Sequence, residues 1–343
     1  MSSRPNAQTT GRDRPGRKTR PLAAHDLDTV VAIDAALGGG RRRAYFERRL
    51  AAAQHDPERH LQFAVADDEG AVAGFMLGQI LEGEFGRSEP ELRLEALGVK
   101  ASAQGRGLGG ALGAAFEDAA RRRGLAGIRT SAGWREHALL RFLDRAGYCL
   151  AHSHVLDCAL ADAVLGSPDE QPRMAGPGPA DANDYGTPGA RDFATLARDG
   201  IDVGLLEEAD LEGVARVDRR HTGRDRRGYL CRTVREALAD SAVRVSLAAR
   251  MDGGVAGYVM ARVDYGDFGR TEPVAVIDTV GVDPMRARQG IGRALLSQLF
   301  VNLRGLQVER VETLVAPHNL DLLGFFYAAG MRPAERLAFL KKL

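Results

Sequence analysis

The spacing of apolar residues predicts helices and strands in a fixed order along the chain. Leu112 and Phe116 belong to a run with the three- and four-residue spacing of an amphipathic helix. Residues 61–66 and 72–77 are short strand-like runs joined by the polar turn 68–70, which predicts an antiparallel hairpin. The full order is a helix, several strands, a long helix, a strand, a helix and a last strand. This grouping predicts an α+β fold.

The same order occurs a second time, because the chain contains an internal repeat. Residues 95–99 (EALGV) match residues 278–282 (DTVGV), and residues 107–112 (GLGGAL) match residues 290–295 (GIGRAL), so that Gly107 corresponds to Gly290. Each copy is far longer than the roughly 20 to 50 residues of a solenoid repeat. We therefore expect two complete domains of one fold, each with its own core and each closed by its own last strand.

Composition places boundaries around these two domains. The repeat and its flanks predict a disordered basic tail over 1–21, an N-terminal domain over 22–160 and a C-terminal domain over 197–343. Between the domains, residues 161–196 are rich in Pro and Gly and poor in large apolar residues, which is typical of a linker. The length of 343 residues agrees with two domains of about 100 to 200 residues each.

Charge and cysteine usage exclude several classes of partner. Lys plus Arg number 47 against 46 for Asp plus Glu, so bulk charge favours neither a nucleic acid nor an anionic membrane. The three cysteines have no paired spacing, which favours a reducing compartment and no zinc site. No apolar run approaches the ~20 residues that span a bilayer. We expect a cytoplasmic protein.

A glycine-rich turn from a strand into a helix carries the most specific chemistry. Residues 104–109 (QGRGLG) and 288–292 (RQGIG) would present backbone N–H groups at a helix N-terminus, which suits a pyrophosphate. A dinucleotide-binding fold would place such a turn after its first strand, whereas here about four strands precede it. The sequence also lacks the Gly-Lys-Ser/Thr of a P-loop.

Both halves resemble GCN5-related N-acetyltransferase (GNAT) domains, whose signature is a strand ending in Val followed by Q/R-x-x-G-x-G/A at the start of a helix. Val99 and residues 104–109 match it in full, whereas Ala287 replaces the first polar residue of the second copy. The resemblance implies two tandem GNAT-like domains, each a mixed, mostly antiparallel sheet flanked by helices. It also implies acetyl-CoA as co-substrate and no metal. The cofactor-binding residues that it implies are Val99, Gln104, Gly105, Arg106, Gly107, Leu108, Gly109, Val282, Arg288, Gln289, Gly290, Ile291, Gly292 and Asn319.

The resemblance further implies acetyl transfer to a primary amine by direct attack. An alkylammonium with a pKa near ~10 must lose a proton before it attacks, and Glu95 and Asp278 are the candidate bases. Leu143 and Phe326 stand where many family members carry an acidic Tyr, so the neighbouring Tyr327 is the candidate acid. The isolated strand glycines Gly98 and Gly281 predict a bulge or a close backbone approach beside the thioester.

Two questions stay open at this stage. The acceptor is a protein lysine, a small metabolite or an amino-sugar conjugate, and the sequence does not choose among them. The alternative to an enzyme is a non-catalytic acyl-CoA sensor or regulatory scaffold, which the missing tyrosines and Ala287 favour. The arginine clusters at 41–43 and 224–227 suit an acidic substrate or, as the preferred interpretation, a solvated helix face.

Overall fold

The computed structural model describes residues 19–163 apart from 39, 41 and 88, together with residues 201–239, 244–264 and 272–343. We call 19–163 the N-terminal half and 201–343 the C-terminal half. The predicted tail, up to residue 18, and the linker, from residue 164, lie outside the described residues. Residues 19–21, which the sequence assigns to the tail, instead form an edge strand that pairs with residues 63–65.

The described helices and strands follow the predicted order, with an edge strand before the first helix and a second helix after it in each half. The helices are α1 (Leu27–Gly38), α2 (Arg43–His55), α3 (Leu108–Arg122), α4 (His137–Arg145), α5 (Leu211–Thr222), α6 (Arg227–Ala239), α7 (Ile291–Gly305) and α8 (Leu320–Ala328). The N-terminal half supplies β1 (Thr19–Pro21), β2 (His60–Ala66), β3 (Val72–Leu81), β4 (Glu91–Val99), β5 (Gly127–Gly133), β6 (Cys149–Leu150) and β7 (His154–Ala159). The C-terminal half supplies β8 (Asp202–Leu205), β9 (Arg244–Met251), β10 (Gly254–Asp264), β11 (Val274–Val282), β12 (Arg310–Val315), β13 (Arg332–Pro333) and β14 (Arg336–Lys342).

These strands form two mixed sheets of seven strands each. The N-terminal sheet has the order β1-β2-β3-β4-β5-β14-β6, and the C-terminal sheet has the order β13-β7-β12-β11-β10-β9-β8. Within each sheet one pair is parallel, β4 with β5 and β11 with β12, and the other pairs are antiparallel. The predicted α+β fold, with mixed and mostly antiparallel sheets flanked by helices, is confirmed.

The two halves exchange a strand. Strand β14, at the C-terminus, pairs with β5 of the N-terminal sheet from Arg336–Gly133 to Lys342–Gly127. Strand β7, from the N-terminal half, pairs with β12 of the C-terminal sheet. The expectation that each domain closes with its own last strand is therefore wrong, because both strands leave their own half for the other sheet.

Helices cover both faces of each sheet. In the C-terminal half, Leu295 and Leu299 of α7 pack on one face, and Val214 and Val217 of α5 pack on the other. The N-terminal half repeats this arrangement with α3 on one face and α1 and α2 on the other. The buried apolar positions at helical spacing supply the stabilising burial, as the sequence predicts.

Candidate active site

The parallel strands of each sheet diverge before the first of them ends. The pairing of β11 with β12 ends at Ile277 and Thr313, although β11 continues to Val282. At the point of divergence, the Thr313 hydroxyl donates to the Ile277 carbonyl over 3.0 Å. In the N-terminal sheet, the Thr130 hydroxyl donates to the Leu94 carbonyl over 3.1 Å in the same way. Each half therefore contains a fork between two strands.

A bulge lies at each fork, on the two predicted bases. Asp278 is the extra residue where β11 changes register against β10, and Glu95 is the extra residue of β4 against β3. The sequence analysis expected a bulge or a close approach at Gly98 and Gly281, and the structure shows the close approach there. A Cβ on Gly281 would stand 2.7 Å from Cε1 of the Tyr258 ring.

The glycine loops lead from these forks into the long helices. Gly107 and Gly290 precede α3 and α7 with φ of 82° and 83°, a left-handed conformation that favours glycine. A Cβ at either position would meet nothing within 4 Å. The loops differ two residues earlier, where Gly105 has a φ of 75° and its counterpart Arg288 adopts a φ of 65° despite its side chain.

An open cleft of about 1400 Å³ lies at the fork of the C-terminal half. It is lined by seven of the predicted catalytic and cofactor-binding residues, and the loop before α7 forms one of its walls. These residues are Asp278, Val282, Arg288, Gly290, Ile291, Gly292 and Asn319. Asn319 also caps α8, since its side-chain oxygen accepts from the Leu322 N–H over 3.2 Å. The structure thus brings one candidate base together with one predicted cofactor loop.

Other predicted site residues lie elsewhere. Tyr327 is 39% exposed and, like Gln289, is not part of the cleft lining, whereas the neighbouring Phe326 is. The role of Tyr327 as the acid stays a prediction. The predicted site residues of the first copy belong to the other half and do not line this cleft. They are Glu95, Val99, Gln104, Gly105, Arg106, Gly107, Leu108 and Gly109.

Comparison with models of protein families gives one match, in two regions of the chain. The model described as "Acetyltransferase (GNAT) family" matches residues 32–148 and 214–331, about two thirds of the sequence. The chain belongs to the GNAT acetyltransferase family. The match in two regions confirms the tandem arrangement, and family membership identifies the chain as an acyltransferase. Curated protein sequences gave no significant match.

Solved structures share this tandem GNAT fold at low sequence identity. A GCN5-related N-acetyltransferase from Sphaerobacter thermophilus is 17% identical with a TM-score of 0.58, and the alignment covers 96% of each chain. A tandem GNAT protein from the clavulanic acid biosynthesis pathway is 17% identical with a TM-score of 0.57, covering 95% of this chain and 98% of that one. The glucosamine N-acetyltransferase region of a fungal multi-domain GH3 beta-N-acetylglucosaminidase is 17% identical with a TM-score of 0.62, and the alignment covers 94% of this chain but 38% of the fungal one.

Both candidate bases of this GNAT chain are buried and paired with arginine. Arg49 Nη2 donates to Glu95 Oε1 over 2.8 Å, and Arg262 Nη1 bonds Asp278 Oδ1. Burial acts to lower the pKa of Arg262, but the nearby charge of Asp278 raises this pKa above its usual value. Removing one partner of such a buried pair is strongly destabilising, so any variant at these carboxylates needs a matched control.

Sequence reasoning missed a polar network on the wall of the GNAT cleft. Asp218 of α5 accepts from Arg226 Nε over 2.9 Å and from the Tyr258 hydroxyl over 2.6 Å. Arg226 is 6% exposed, and its counterpart Arg42 is also buried against Asp34. The preferred interpretation of the arginine clusters as a solvated face is therefore wrong for these two residues. Their recurrence beside an aspartate in both copies was the available signal.

A second missed residue explains how the second GNAT loop tolerates Ala287. In the first copy, Gln104 Nε2 donates to the Val99 carbonyl over 3.1 Å. In the second copy, the imidazole Nε2 of His221 is hydrogen-bonded to the equivalent carbonyl of Val282. His221 comes from α5, far from the loop in sequence, and therefore carried no motif signal.

The N-terminal half contributes a wall to the cleft of the C-terminal half. Phe85 and Arg87 belong to the connection between β3 and β4, and both line the cleft. Burial, with the nearby charge of Arg129, lowers the pKa of Arg87 to about 10. This connection docks closely on α6, since a Cβ on Gly83 would stand 2.5 Å from the Tyr229 ring.

Within the ranges that the structure describes, no group of three or more His, Cys, Asp or Glu side chains is arranged to hold a metal ion. Over the same residues, no helix has both the length and the apolar character needed to cross a membrane.

Proposed function

We propose that the chain is an acetyl-CoA-dependent N-acetyltransferase whose working site is the cleft of the C-terminal half. The observation that carries this proposal is the convergence of two features on one cleft. The fork between β11 and β12 opens an unpaired length of strand, and the helix N-terminus at Gly290 faces the same space. Backbone N–H groups at a helix N-terminus bind phosphate groups.

The residues present suit a CoA ligand. Gly290 leaves open space where any side chain would project into the cleft, and Arg288 adds a positive charge beside the helix N-terminus. Along its edge beyond Ile277, β11 has backbone N–H and C=O groups that β12 does not pair, and these suit hydrogen bonds with the amides of an extended pantetheine. Acetyl-CoA would supply the acetyl group as a thioester.

Proton removal is the role of the chain's own residues. In the proposed reaction, Asp278 removes one proton from the acceptor ammonium, and the neutral nitrogen attacks the thioester carbonyl carbon. The C–S bond breaks as the C–N bond forms, and the second proton lost by nitrogen passes to the leaving thiolate. A protein lysine and a small-molecule amine both satisfy this chemistry.

The test compares Asp278→Asn with Glu95→Gln. Both changes leave a buried arginine without its charged partner, so they share a structural penalty, but only Asp278 lines the cleft. We expect Asp278→Asn to lower amine-dependent release of CoA thiol by roughly 10²- to 10⁴-fold, as for loss of a general base. Glu95→Gln should retain most of the rate.

Thermal unfolding and acetyl-CoA affinity of both variants serve as controls. Equal rates for Asp278→Asn and the wild type would contradict the assignment of the base. A wild type that binds acetyl-CoA yet releases no CoA with any amine would favour the alternative function, an acyl-CoA sensor. The burial of both candidate bases in ion pairs is the observation that supports that alternative.

A further inference from the structure

The polar network beside the cleft leaves a hydroxyl oxygen with a fixed orientation. Tyr258 Oη has one proton, and it donates that proton to Asp218 Oδ1 over 2.6 Å. Arg226 donates to both carboxylate oxygens of Asp218, which keeps the carboxylate in place. Because its proton is committed, the oxygen of Tyr258 presents acceptor lone pairs to any further partner.

A second hydroxyl lies beside the first. Thr279 Oγ1 is 3.4 Å from Tyr258 Oη and 3.4 Å from Arg226 Nη2. Both Tyr258 and Thr279 line the cleft. Burial, reinforced by the charge of Asp218, raises the pKa of Tyr258 well above its usual value, so the phenol stays protonated at neutral pH.

Both hydroxyls lie at the part of β11 that diverges from β12. Thr279 belongs to this part of β11, and Tyr258 belongs to the neighbouring strand β10. Thr279 is two residues beyond Ile277, where the pairing with β12 ends. Gly281 lies opposite Tyr258 in the β10–β11 ladder, and a Cβ at Gly281 would be 3.3 Å from Tyr258 Oη. The oxygens are thus presented beside the strand segment at which we place the thioester.

The N-terminal half keeps the framework of this network and lacks its hydroxyls. Asp34 and Arg42 form the same buried ion pair as Asp218 and Arg226. Phe75 occupies the position of Tyr258, and its ring lies 2.7 Å from the Cβ position of Gly98. Ala96 occupies the position of Thr279. The ion pair therefore serves packing in both halves, whereas the two hydroxyls distinguish the C-terminal half.

We infer that the hydroxyl oxygens of Tyr258 and Thr279 form the binding site for the acceptor amine, and that this site belongs to the C-terminal half alone, because Phe75 and Ala96 of the N-terminal half supply no such oxygens. This inference rests on the proposed acetyltransferase function. Two acceptor oxygens suit a group with several N–H donors, such as a primary amine or its ammonium form. They would hold the nitrogen beside β11 and leave proton removal to Asp278.

The test uses full-length protein with glucosamine, Nα-acetyl-lysine and putrescine as amine probes, and follows CoA thiol release. For each probe that is turned over, Tyr258→Phe and Thr279→Ala should each raise the amine KM about tenfold, the effect of losing one hydrogen bond to a polar or charged group. The kcat and the acetyl-CoA affinity should change less than about threefold, because the lost hydrogen bond stabilises the bound amine equally in the ground state and in the transition state. Thr279→Ser keeps the hydroxyl and should restore the wild-type KM.

Tyr148→Phe is the matched control, since it removes a phenol that does not line the cleft. It should leave the amine KM unchanged. If the wild type turns over a probe and both Tyr258→Phe and Thr279→Ala keep the wild-type amine KM, the amine site is contradicted and the proposed acetyltransferase function is not. Binding of acetyl-CoA without turnover of any probe would contradict the proposed function and, with it, this inference.

Discussion

At the scale of single residues, Arg288 combines a backbone cost with a favourable charge. Its φ of 65° lies in the left-handed region, where its counterpart in the first copy is Gly105. For a residue with a side chain this conformation costs about 1–2 kcal/mol. Arg288 lines the cleft and precedes the N-terminus of α7 by three residues. Persistence of an unfavourable conformation at this position agrees with a role in ligand binding.

We expect Arg288→Gly and Arg288→Ala to separate these two properties. Arg288→Gly should raise the free energy of unfolding by about 0.5–1 kcal/mol, because it relieves the backbone at a modest entropic cost. Arg288→Ala should leave stability nearly unchanged. Both variants should bind acetyl-CoA about tenfold more weakly, because each lacks one charge-assisted contact. Urea unfolding and calorimetry measure the two quantities, and full affinity in either variant would contradict the binding role.

The residues that sequence could and could not identify differ in where their partners lie. Asp278 and Gly290 belong to a contiguous motif that occurs twice, so the pattern alone indicated them. Tyr258 depends on Asp218, which precedes it by 40 residues on a helix, and a lone tyrosine in a strand is typical of a core aromatic. His221 was hidden for the same reason, since its contact with Val282 is created by the fold.

At the scale of elements, the exchanged strands carry the main structural consequence. The apolar pattern of residues 337–340 predicts a strand, and the structure confirms it as β14. The pattern does not specify the sheet, because the alternation of apolar residues along a strand does not identify its pairing partner. In the folded chain, β14 joins the N-terminal sheet, where it pairs with β5 through seven residue pairs from Arg336 to Lys342.

Removal of residues 336–343, at the C-terminus, should therefore destabilise the N-terminal half. We expect hydrogen exchange to show loss of protection in β5, at Gly127–Gly133, because β14 is its antiparallel neighbour. Strand β12 should keep its protection, because its partners β7 and β11 remain. Loss of protection confined to β12, with β5 unchanged, would contradict the exchange.

At the scale of the whole molecule, several contacts connect the two halves. Besides the exchanged strands, Arg93 of β4 is paired with Asp264 of β10 over 2.7 Å, and Arg226 bonds the Gly83 carbonyl. The N-terminal half also supplies Phe85 and Arg87 to the wall of the cleft. The repeat in the sequence predicts two domains of one fold, each with its own core, and it does not predict that the N-terminal half forms part of the wall of the cleft at the C-terminal fork.

The most direct test of this account is calorimetric titration of acetyl-CoA into the wild type, Gly107→Leu and Gly290→Leu. The two glycines have the same left-handed φ and the same open surroundings, so the substitutions are matched. We predict that Gly290→Leu abolishes tight binding, that Gly107→Leu preserves it, and that thermal unfolding of the two variants is similar. Loss of binding in Gly107→Leu with full affinity in Gly290→Leu would contradict the assignment of the working site to the C-terminal half.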